Sequence, residues 1–343
     1  MNVLVTGANG FVGKALINKL LKKGHNITAL VRSLESVEHR HPEVTWLEGD
    51  LLIPDKLPEL GQIHKAYYLV HGLKGEKANF EHFEALAAVN FVNWIRGTTP
   101  DIIYLGGLGP KNTELSAHLR SRHLTGAILG ASGLGAIEFR ASIILGEGSL
   151  SFEMIKAISE RLPFRPDMGI LSHPCQPLAL SDLLIYLEKA LELTVTGHQI
   201  FEIGGPDITT YGDLMDIYAD ISGHKRKRVK LPEVEAKVIL KALEYAIPEH
   251  ADIGKKLAES LEFATVVSDE ASKDSFVMKP MSLRDAMKEA VDGSKTKYSQ
   301  LWEKDFLKGI LSDKILTQSG LFSPDLLKSL EKVGKIKDIL TRR

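Results

Sequence analysis

One cysteine, Cys175, stands in the whole chain, so no intrachain disulfide can close and no cysteine-built zinc site can form. A lone thiol of this kind suits a reducing compartment, and its expected role is packing. Charge of one sign is not in excess either. Forty-three lysines and arginines face 44 aspartates and glutamates, a formal net charge of -1, which gives no long-range field toward nucleic acid or an anionic membrane. No uncharged apolar run approaches the roughly 18 to 20 residues that a spanning helix needs. The opening MNVLVTGANG lacks the basic segment, apolar run and small-residue site of a secretory signal. A cytoplasmic location is therefore expected, with peripheral membrane association left open. Metal patterns are missing too. His39 and His41 lie two apart beside Arg40, and no H-E-x-x-H or paired carboxylate motif occurs, so no metal is expected.

What is present is an ordinary globular composition, 44% hydrophobic and 25% charged over 343 residues, enough for about two domains. Short apolar runs alternate with helical patterns over the first 145 residues, the rhythm of a parallel sheet with crossover helices. Strands are predicted at Asn2–Val5, Asn26–Val31, Val44–Leu47, Ala66–Val70, Asp101–Leu105 and Gly135–Phe139. Phe11–Lys23 repeats apolar residues at helical spacing until Gly24 stops it. Phe80–Arg96 places Phe83, Leu86, Ala87, Asn90, Phe91 and Trp94 on one predicted face, which leaves Asn90 as an inward polar group. After Gly146 helices dominate, and one further strand, Gln199–Ile203, is expected to return to the sheet edge. The reading is an α/β, Rossmann-type doubly wound parallel sheet with a smaller, mostly helical substrate lobe. Residues 1–145 plus 178–204 form the NAD(P)-binding domain, 146–177 plus 205–293 the substrate lobe, and 294–343 a helical C-terminal tail.

The chemistry begins at Thr6-Gly7-Ala8-Asn9-Gly10-Phe11-Val12-Gly13, where a strand runs directly into a glycine-spaced turn and a helix. Gly7 suits the tight turn, Gly10 lets backbone approach a pyrophosphate, and Gly13 lets helix and strand pack closely. Asn9, Phe11 and Val12 complete the candidate phosphate turn, whose N–H groups and helix dipole favour negative charge. At the end of the second strand a dinucleotide site for NAD usually offers Asp or Glu to the ribose 2'-hydroxyl. This chain offers Arg32-Ser33, whose guanidinium fork and hydroxyl suit a 2'-phosphate, so NADP(H) is expected ahead of NAD(H). Other strand ends would line the same crevice: Asp50 and Leu51 toward an adenine ring, Val70, His71 and Gly72 after the fourth strand, and Gly106 and Gly107 after the fifth.

Together with GDL at Gly49–Leu51, YLVHGL at Tyr68–Leu73, YLGGLGP at Tyr104–Pro110, FRASIILGEGSLSFEMI at Phe139–Ile155 and FEIGGPD at Phe201–Asp207, these motifs resemble the atypical branch of the short-chain dehydrogenase/reductase superfamily. Within it the chain is similar to YbjT-like NAD(P)-binding and NAD-dependent epimerase-like proteins over about residues 1–292, including a weaker match at Ser282–Val291. The resemblance implies a Tyr-x-x-x-Lys pair after the fifth strand, in which tyrosine protonates the acceptor and lysine holds the nicotinamide ribose. Here the stretch reads His118-Leu119-Arg120-Ser121-Arg122. Arg122 could keep the charge role and His118 could donate a proton. A solvated basic face over Leu119–His123 is the competing interpretation, and the upstream serine position falls on Gly106 or Gly107.

The run Gly223-His224-Lys225-Arg226-Lys227-Arg228-Val229-Lys230 has no interleaved aromatics, so a nucleic-acid partner is not expected and a solvated face is. Ser181 or Asp182 is expected to cap the helix that follows. The functional expectation is an NADP(H)-dependent oxidoreductase reducing a small carbonyl or quinone-like acceptor. A non-catalytic NADP(H)-binding redox sensor is the second reading, and a nucleotide-sugar epimerase the third. The substrate is a small molecule that the sequence does not identify, and it does not disclose an oligomeric state.

Overall fold

Alternation of apolar strands with one-faced helices produces a parallel sheet here, because each strand is covered on both faces and each helix needs a surface to bury its stripe. The computed structural model describes residues 1–71, 79–98, 100–110, 115–162, 164–230, 261 and 263–294. In chain order the elements begin β1 (Asn2–Thr6), α1 (Phe11–Lys22), β2 (Asn26–Val31), β3 (Val44–Glu48), β4 (Lys65–Tyr68), α2 (Phe80–Ile95), β5 (Asp101–Gly107), α3 (Ala117–Gly130) and β6 (Ala136–Ala141). They continue with β7 (Ile144–Leu145), α4 (Leu150–Arg161), β8 (Arg165–Asp167), β9 (Pro174–Cys175), β10 (Leu178–Ala179), α5 (Leu180–Lys189) and β11 (His198–Ile203). The last are β12 (Thr209–Thr210), α6 (Tyr211–Ser222), β13 (Arg228–Lys230), α7 (Ala271–Ser275) and α8 (Leu283–Gly293). The helical tail expected at 294–343 lies, beyond Ser294, outside the described residues.

Two compact units result. The first comprises Met1–Ser142, Leu180–Gly205 and Thr265–Met281; the second holds the remaining described residues. The first is built on a seven-stranded sheet of order β11-β6-β5-β4-β1-β2-β3, all neighbours parallel. The order reverses direction at β1 and β4, the switch point of a doubly wound fold. The strand expected to return to the sheet edge does so as β11, beside β6. Residues 265–281, assigned from sequence to the smaller lobe, pack with the sheet instead. Phe276 is the reason: its ring sits 5.3 Å from Phe139, 5.5 Å from Tyr186 and 5.1 Å from Phe201, and Glu202 accepts the backbone N–H groups of Ser268 and Asp269. Asp182, expected as a helix cap, accepts the Met281 N–H at 2.9 Å and so pins the same segment.

The second unit brings together α4, α6, α8 and short two-stranded pairings, among them β13 with β8 and β12 with β9. Cys175 is buried there as a free thiol, in keeping with a packing role. The basic run is a solvated face, with Lys225, Lys227, Arg228 and Lys230 exposed, and it is paired locally: Lys225 with Asp220 at 2.9 Å and Arg228 with Asp216, while Arg226 donates to the Leu162 carbonyl at 3.1 Å.

Element ends follow the ladder. β4 stops at Tyr68 rather than Val70 because its partner in the last register pair, Thr6, is followed by the Gly7 turn. Gly7 has φ +68°, and a Cβ there would lie 2.3 Å from the Leu69 carbonyl oxygen; a Cβ at Gly13 would lie 2.3 Å from the Gly7 carbonyl oxygen. Neither gap admits a methyl group. Gly7→Ala therefore carries about 1–2 kcal/mol of left-handed backbone strain before the clash is counted, and chemical denaturation should show a loss at least that large.

Candidate active site

The turn between β1 and α1 supplies backbone donors rather than side chains. Gly10 precedes α1 without a side-chain cap, no acidic residue lies in the first turn, and the Gly10 N–H is taken by the Gly7 carbonyl at 2.9 Å. The first helical donor to return into the helix is Lys14, to Gly10 at 3.0 Å, so the N–H groups of Phe11, Val12 and Gly13 precede any intrahelical acceptor. Gly10 is exposed, and a Cβ on it would meet only the Gly7 oxygen. Asn9 donates through Nδ2 to the Ser36 carbonyl at 2.9 Å, while its buried Oδ1 has no partner among the described residues. An uncapped helix start, an open glycine and an orphaned acceptor together fit a dinucleotide's phosphates and a ribose hydroxyl.

Arg32 is exposed and Ser33 partly buried just beyond β2. No ion-pair partner of Arg32 occurs among the described residues, so its guanidinium is not already neutralised. The neighbouring carboxylate, Glu48, is occupied by the Leu34 N–H at 2.8 Å. Asp50 receives the Leu52 N–H at 2.9 Å, a local turn contact. Leu51 is 4% exposed within the apolar core, and Asn90, inward as expected, donates to its carbonyl at 2.6 Å. Leu51 is thus committed to the core rather than presented to a ring. Val70 packs partly buried against the same core, whereas Gly72 lies outside the described residues. Gly106 and Gly107 are room-makers inside the fold: a Cβ would come within 3.1 Å of Glu138 Oε1 and 3.0 Å of Leu119 Cδ2, respectively.

The His118 and Arg122 stretch is not a solvated face. His118, Leu119, Ser121 and Arg122 are buried, and Arg120 is the exposed member, paired with Glu81 at 2.7 Å. Ser116 caps α3 by accepting the Leu119 N–H, which fixes the rotation that turns residues 118 and 122 inward together, one helical turn apart. Arg122 donates to the Leu105 carbonyl on β5 and lies 5.0 Å from the Tyr104 ring centroid. Tyr104 in turn donates its hydroxyl to the Arg122 carbonyl at 2.9 Å. Burial pushes the Tyr68 and Tyr104 hydroxyls well above the usual tyrosine range, so neither can give up a proton near neutral pH. His123 contacts the Gly107 carbonyl at 3.0 Å; burial, and then the Arg140 charge, lower its pKa.

The residue that sequence reasoning missed is Glu84. It is 7% exposed on α2, its Oε1 lies 2.9 Å from His71 Nδ1, and its Oε2 accepts the Ser121 hydroxyl. The His71 ring stacks on the His118 ring, centroids 5.0 Å apart and planes 29° from parallel. His71, Glu84, His118, Ser121 and Arg122 thus converge where β4, β5, α2 and α3 meet. The signal was phase. The buried face of α2 is Glu84, Ala87, Ala88, Phe91, Val92 and Ile95, one residue away from the face predicted through Leu86, which is 37% exposed. At spacings of three, four and seven from two alanines and a phenylalanine, Glu84 was readable as a buried charge. Burial pushes its pKa upward, but the His71 contacts, the Ser121 hydrogen bond and the Arg122 charge outweigh that and hold it at about 2. A depression of about 190 Å³ opens elsewhere, within the second unit, lined by Arg165, Asp216, Lys225 and Arg226 among others. Among the described residues no group of three or more His, Cys, Asp or Glu side chains could hold a metal, and no helix is long and apolar enough to cross a membrane.

This geometry defines a Rossmann-type dinucleotide-binding fold. Residues 3–96 match the model of the NAD dependent epimerase/dehydratase family. The chain is 29% identical over 82 residues to a dTDP-6-deoxy-L-talose 4-dehydrogenase (NAD(+)) from Aggregatibacter actinomycetemcomitans, covering 24% of this chain and 30% of that protein. It is 24% identical over 292 residues to the mitochondrial NADH dehydrogenase [ubiquinone] 1 alpha subcomplex subunit 9 of Arabidopsis thaliana, covering 78% of this chain and 71% of the subunit. A solved UDP-glucose 4-epimerase from Thermotoga maritima superposes with TM-score 0.64 at 14% identity, over 85% of this chain and 98% of the epimerase, a likeness of fold.

A carboxylate held at about 2 in the fold and near 4.3 when unfolded stabilises the folded state fully above the unfolded value, and that contribution drains away as pH falls toward 2. Glu84→Gln should therefore lower stability at pH 7 by about 1–3 kcal/mol, and the gap to wild type should narrow between about pH 4 and pH 2. Urea denaturation across that range would refute the assignment if the gap stayed constant.

Proposed function

We propose that the protein is an NADP(H)-dependent oxidoreductase that reduces a small carbonyl or quinone-like acceptor, the buried cluster around His118 and Arg122 taking the place of the Tyr/Lys pair. The observation that carries this reading is the inward position of both residues beside Glu84 and His71, in the same unit as the uncapped glycine turn. Phe11, Val12 and Gly13 would hold the pyrophosphate through their N–H groups, and Arg32 with Ser33 would hold a 2'-phosphate. A bound reduced nicotinamide supplies hydride. The chain's own residues fix charge and deliver a proton. Arg122 keeps a permanent positive charge in the cluster beside the Glu84 carboxylate. His118 and His71 are the imidazoles of the cluster.

Loss of the tyrosine argues against sugar epimerisation, which relies on that acid in the family the chain resembles. The relatives' printed activities include an NAD(+)-dependent dehydrogenase, so preference for the phosphorylated cofactor rests on Arg32 alone. Two measurements test the reading. Fluorescence titration should show Arg32→Ala weakening NADPH by about 10- to 100-fold, the worth of one or two charge-assisted hydrogen bonds, with NADH changed less than about twofold. An equal loss for both would remove the assignment. In NADPH oxidation with aldehydes, His118→Ala and Arg122→Ala should each lower turnover by about 100-fold or more. Absence of turnover in the wild type, combined with partner binding that follows cofactor redox state, would favour the sensor.

A further inference from the structure

We propose that the depression of about 190 Å³ in the second unit is a binding site for a small organic monocarboxylate with a compact apolar body, its carboxylate held by Arg226. The proposal does not depend on the oxidoreductase reading, because every residue it uses belongs to the second unit. The depression lies at the amino ends of the parallel pair β8 and β13, lined also by the last turn of α4 and the second half of α6. Its volume is below the roughly 300–1,000 Å³ of sites that take drug-sized ligands, so its occupant is smaller.

The lining has two characters. Ile158, Phe164, Pro166, Met215 and Ala219 make it apolar, whereas Arg165, Asp216, Asp220, Lys225 and Arg226 bring charge. Most of that charge is already committed. Arg165 is buried and grips Asp216 through Nε and Nη2, each at 3.2 Å, while its Nη1 donates to the Pro166 carbonyl at 2.9 Å. Gly212 makes room for that guanidinium, since a Cβ there would clash with it. Asp216 receives Arg228 as well, and Asp220 takes Lys225 at 2.9 Å and Arg284 at 4.0 Å. Each carboxylate of the lining thus has two cations. Arg226 differs. Its Nε is engaged, on the Leu162 carbonyl at 3.1 Å, but its two terminal nitrogens have no partner among the described residues. The Leu162 bond anchors the guanidinium, and the two remaining nitrogens are the fork that a carboxylate accepts in a bidentate pair.

The surrounding charges set the sign of the ligand. Arg165, Lys225, Arg226, Arg228 and Arg284 stand against Asp167, Asp216 and Asp220. The carboxyl ends of α4 and α6 add about one negative charge between them, which leaves an excess of about one positive charge. A monoanion matches that excess. Inorganic phosphate would satisfy the charge but leave the apolar lining in water, whereas a neutral ring would cover the lining and leave the Arg226 fork empty. A carboxylate on a ring or a branched chain does both.

Benzoate is the probe, followed through the methyl signals of Ile158 and Met215 by NMR of the methyl-labelled full chain. It should move both signals with a Kd of about 1 mM or tighter, the range open to a ligand of so few atoms. Benzamide, which has the shape without the charge, and inorganic phosphate, which has the charge without the ring, should each bind at least about tenfold more weakly. Arg226→Gln should weaken benzoate by about 10- to 100-fold. Ala219→Met, which fills the depression from α6 with a good helix former, should abolish binding. Lys227→Gln, at an exposed neighbour outside the lining, should leave the affinity within about twofold. Signals that stay still at about ten times the expected Kd, or equal affinity for benzamide or phosphate, would overturn the site on the wild type alone, with no variant needed. Wild-type affinity in Arg226→Gln or in Ala219→Met, or a loss in Lys227→Gln as large as that in Arg226→Gln, would overturn it as well. None of these outcomes bears on the cofactor or on hydride transfer.

Discussion

The close approach of three backbone segments at the end of β1 governs the first unit. The Gly7 carbonyl faces Gly13 across a gap in which a Cβ would sit at 2.3 Å, and Gly7 itself presses against the Leu69 carbonyl to the same distance. Helix α1 is thereby seated on the strand it follows, and the exit of β4 is drawn against the exit of β1. Because the sheet order reverses between β1 and β4, the two chains diverge beyond this point, and the space they leave is where a ligand enters an open α/β sheet. His71 stands two residues past Leu69. The glycine turn and the histidine cluster are therefore consequences of one packing constraint, and they share one edge of one sheet.

Burying Glu84 beside that edge is costly in isolation, since an unpaired carboxylate in an apolar surround loses its hydration. Three partners from two elements offset the loss: His71 past β4, and Ser121 and Arg122 from α3, with α3 itself rotated by the Ser116 cap. In the proposed reading the arrangement stands in for a tyrosine, whose hydroxyl acts as an acid only when a neighbouring cation lowers its pKa. The two tyrosines of this region are instead buried, and Tyr104 is spent on a backbone carbonyl. Imidazole needs no such lowering to exchange protons near neutral pH, but it does need its tautomer fixed. A carboxylate on Nδ1 does that.

The parts of this architecture that obey a period were legible in the sequence. Strands β1, β2, β3 and β5 and helix α1 fall within two residues of their predicted limits, because apolar alternation, glycine spacing and the Gly24 stop are local. The return of β11 to the sheet edge was readable from one apolar run ending in Gly204-Gly205. Residues 265–281 were not, since nothing local says that Phe276 will complete an aromatic cluster with three rings from β6, α5 and β11. At the site, His118 and Arg122 could be named from their spacing, but their burial depended on which way α3 faces. Glu84 escaped because α2 was phased on its largest apolar residues. Leu86 is exposed, and the true inner face sets Ala87 and Ala88 one turn from Glu84, which leaves room for a carboxylate.

The same economy operates at the β2 exit. Glu48, the carboxylate nearest Arg32 along the sheet register through Val31, is turned onto the Leu34 N–H, which rigidifies the turn at 34–36. Ser36 of that turn bonds back to the Ser33 carbonyl at 2.6 Å and receives Asn9 from the glycine turn. The loop bearing Arg32 and Ser33 is thus tied through Asn9 to the segment that presents the α1 donors. A charge bound at one end meets a structure already organised at the other, so little conformational freedom remains to be lost on binding. Removing the Asn9 amide would loosen both ends at once, whereas removing the Arg32 guanidinium subtracts charge at one end and leaves the connection standing.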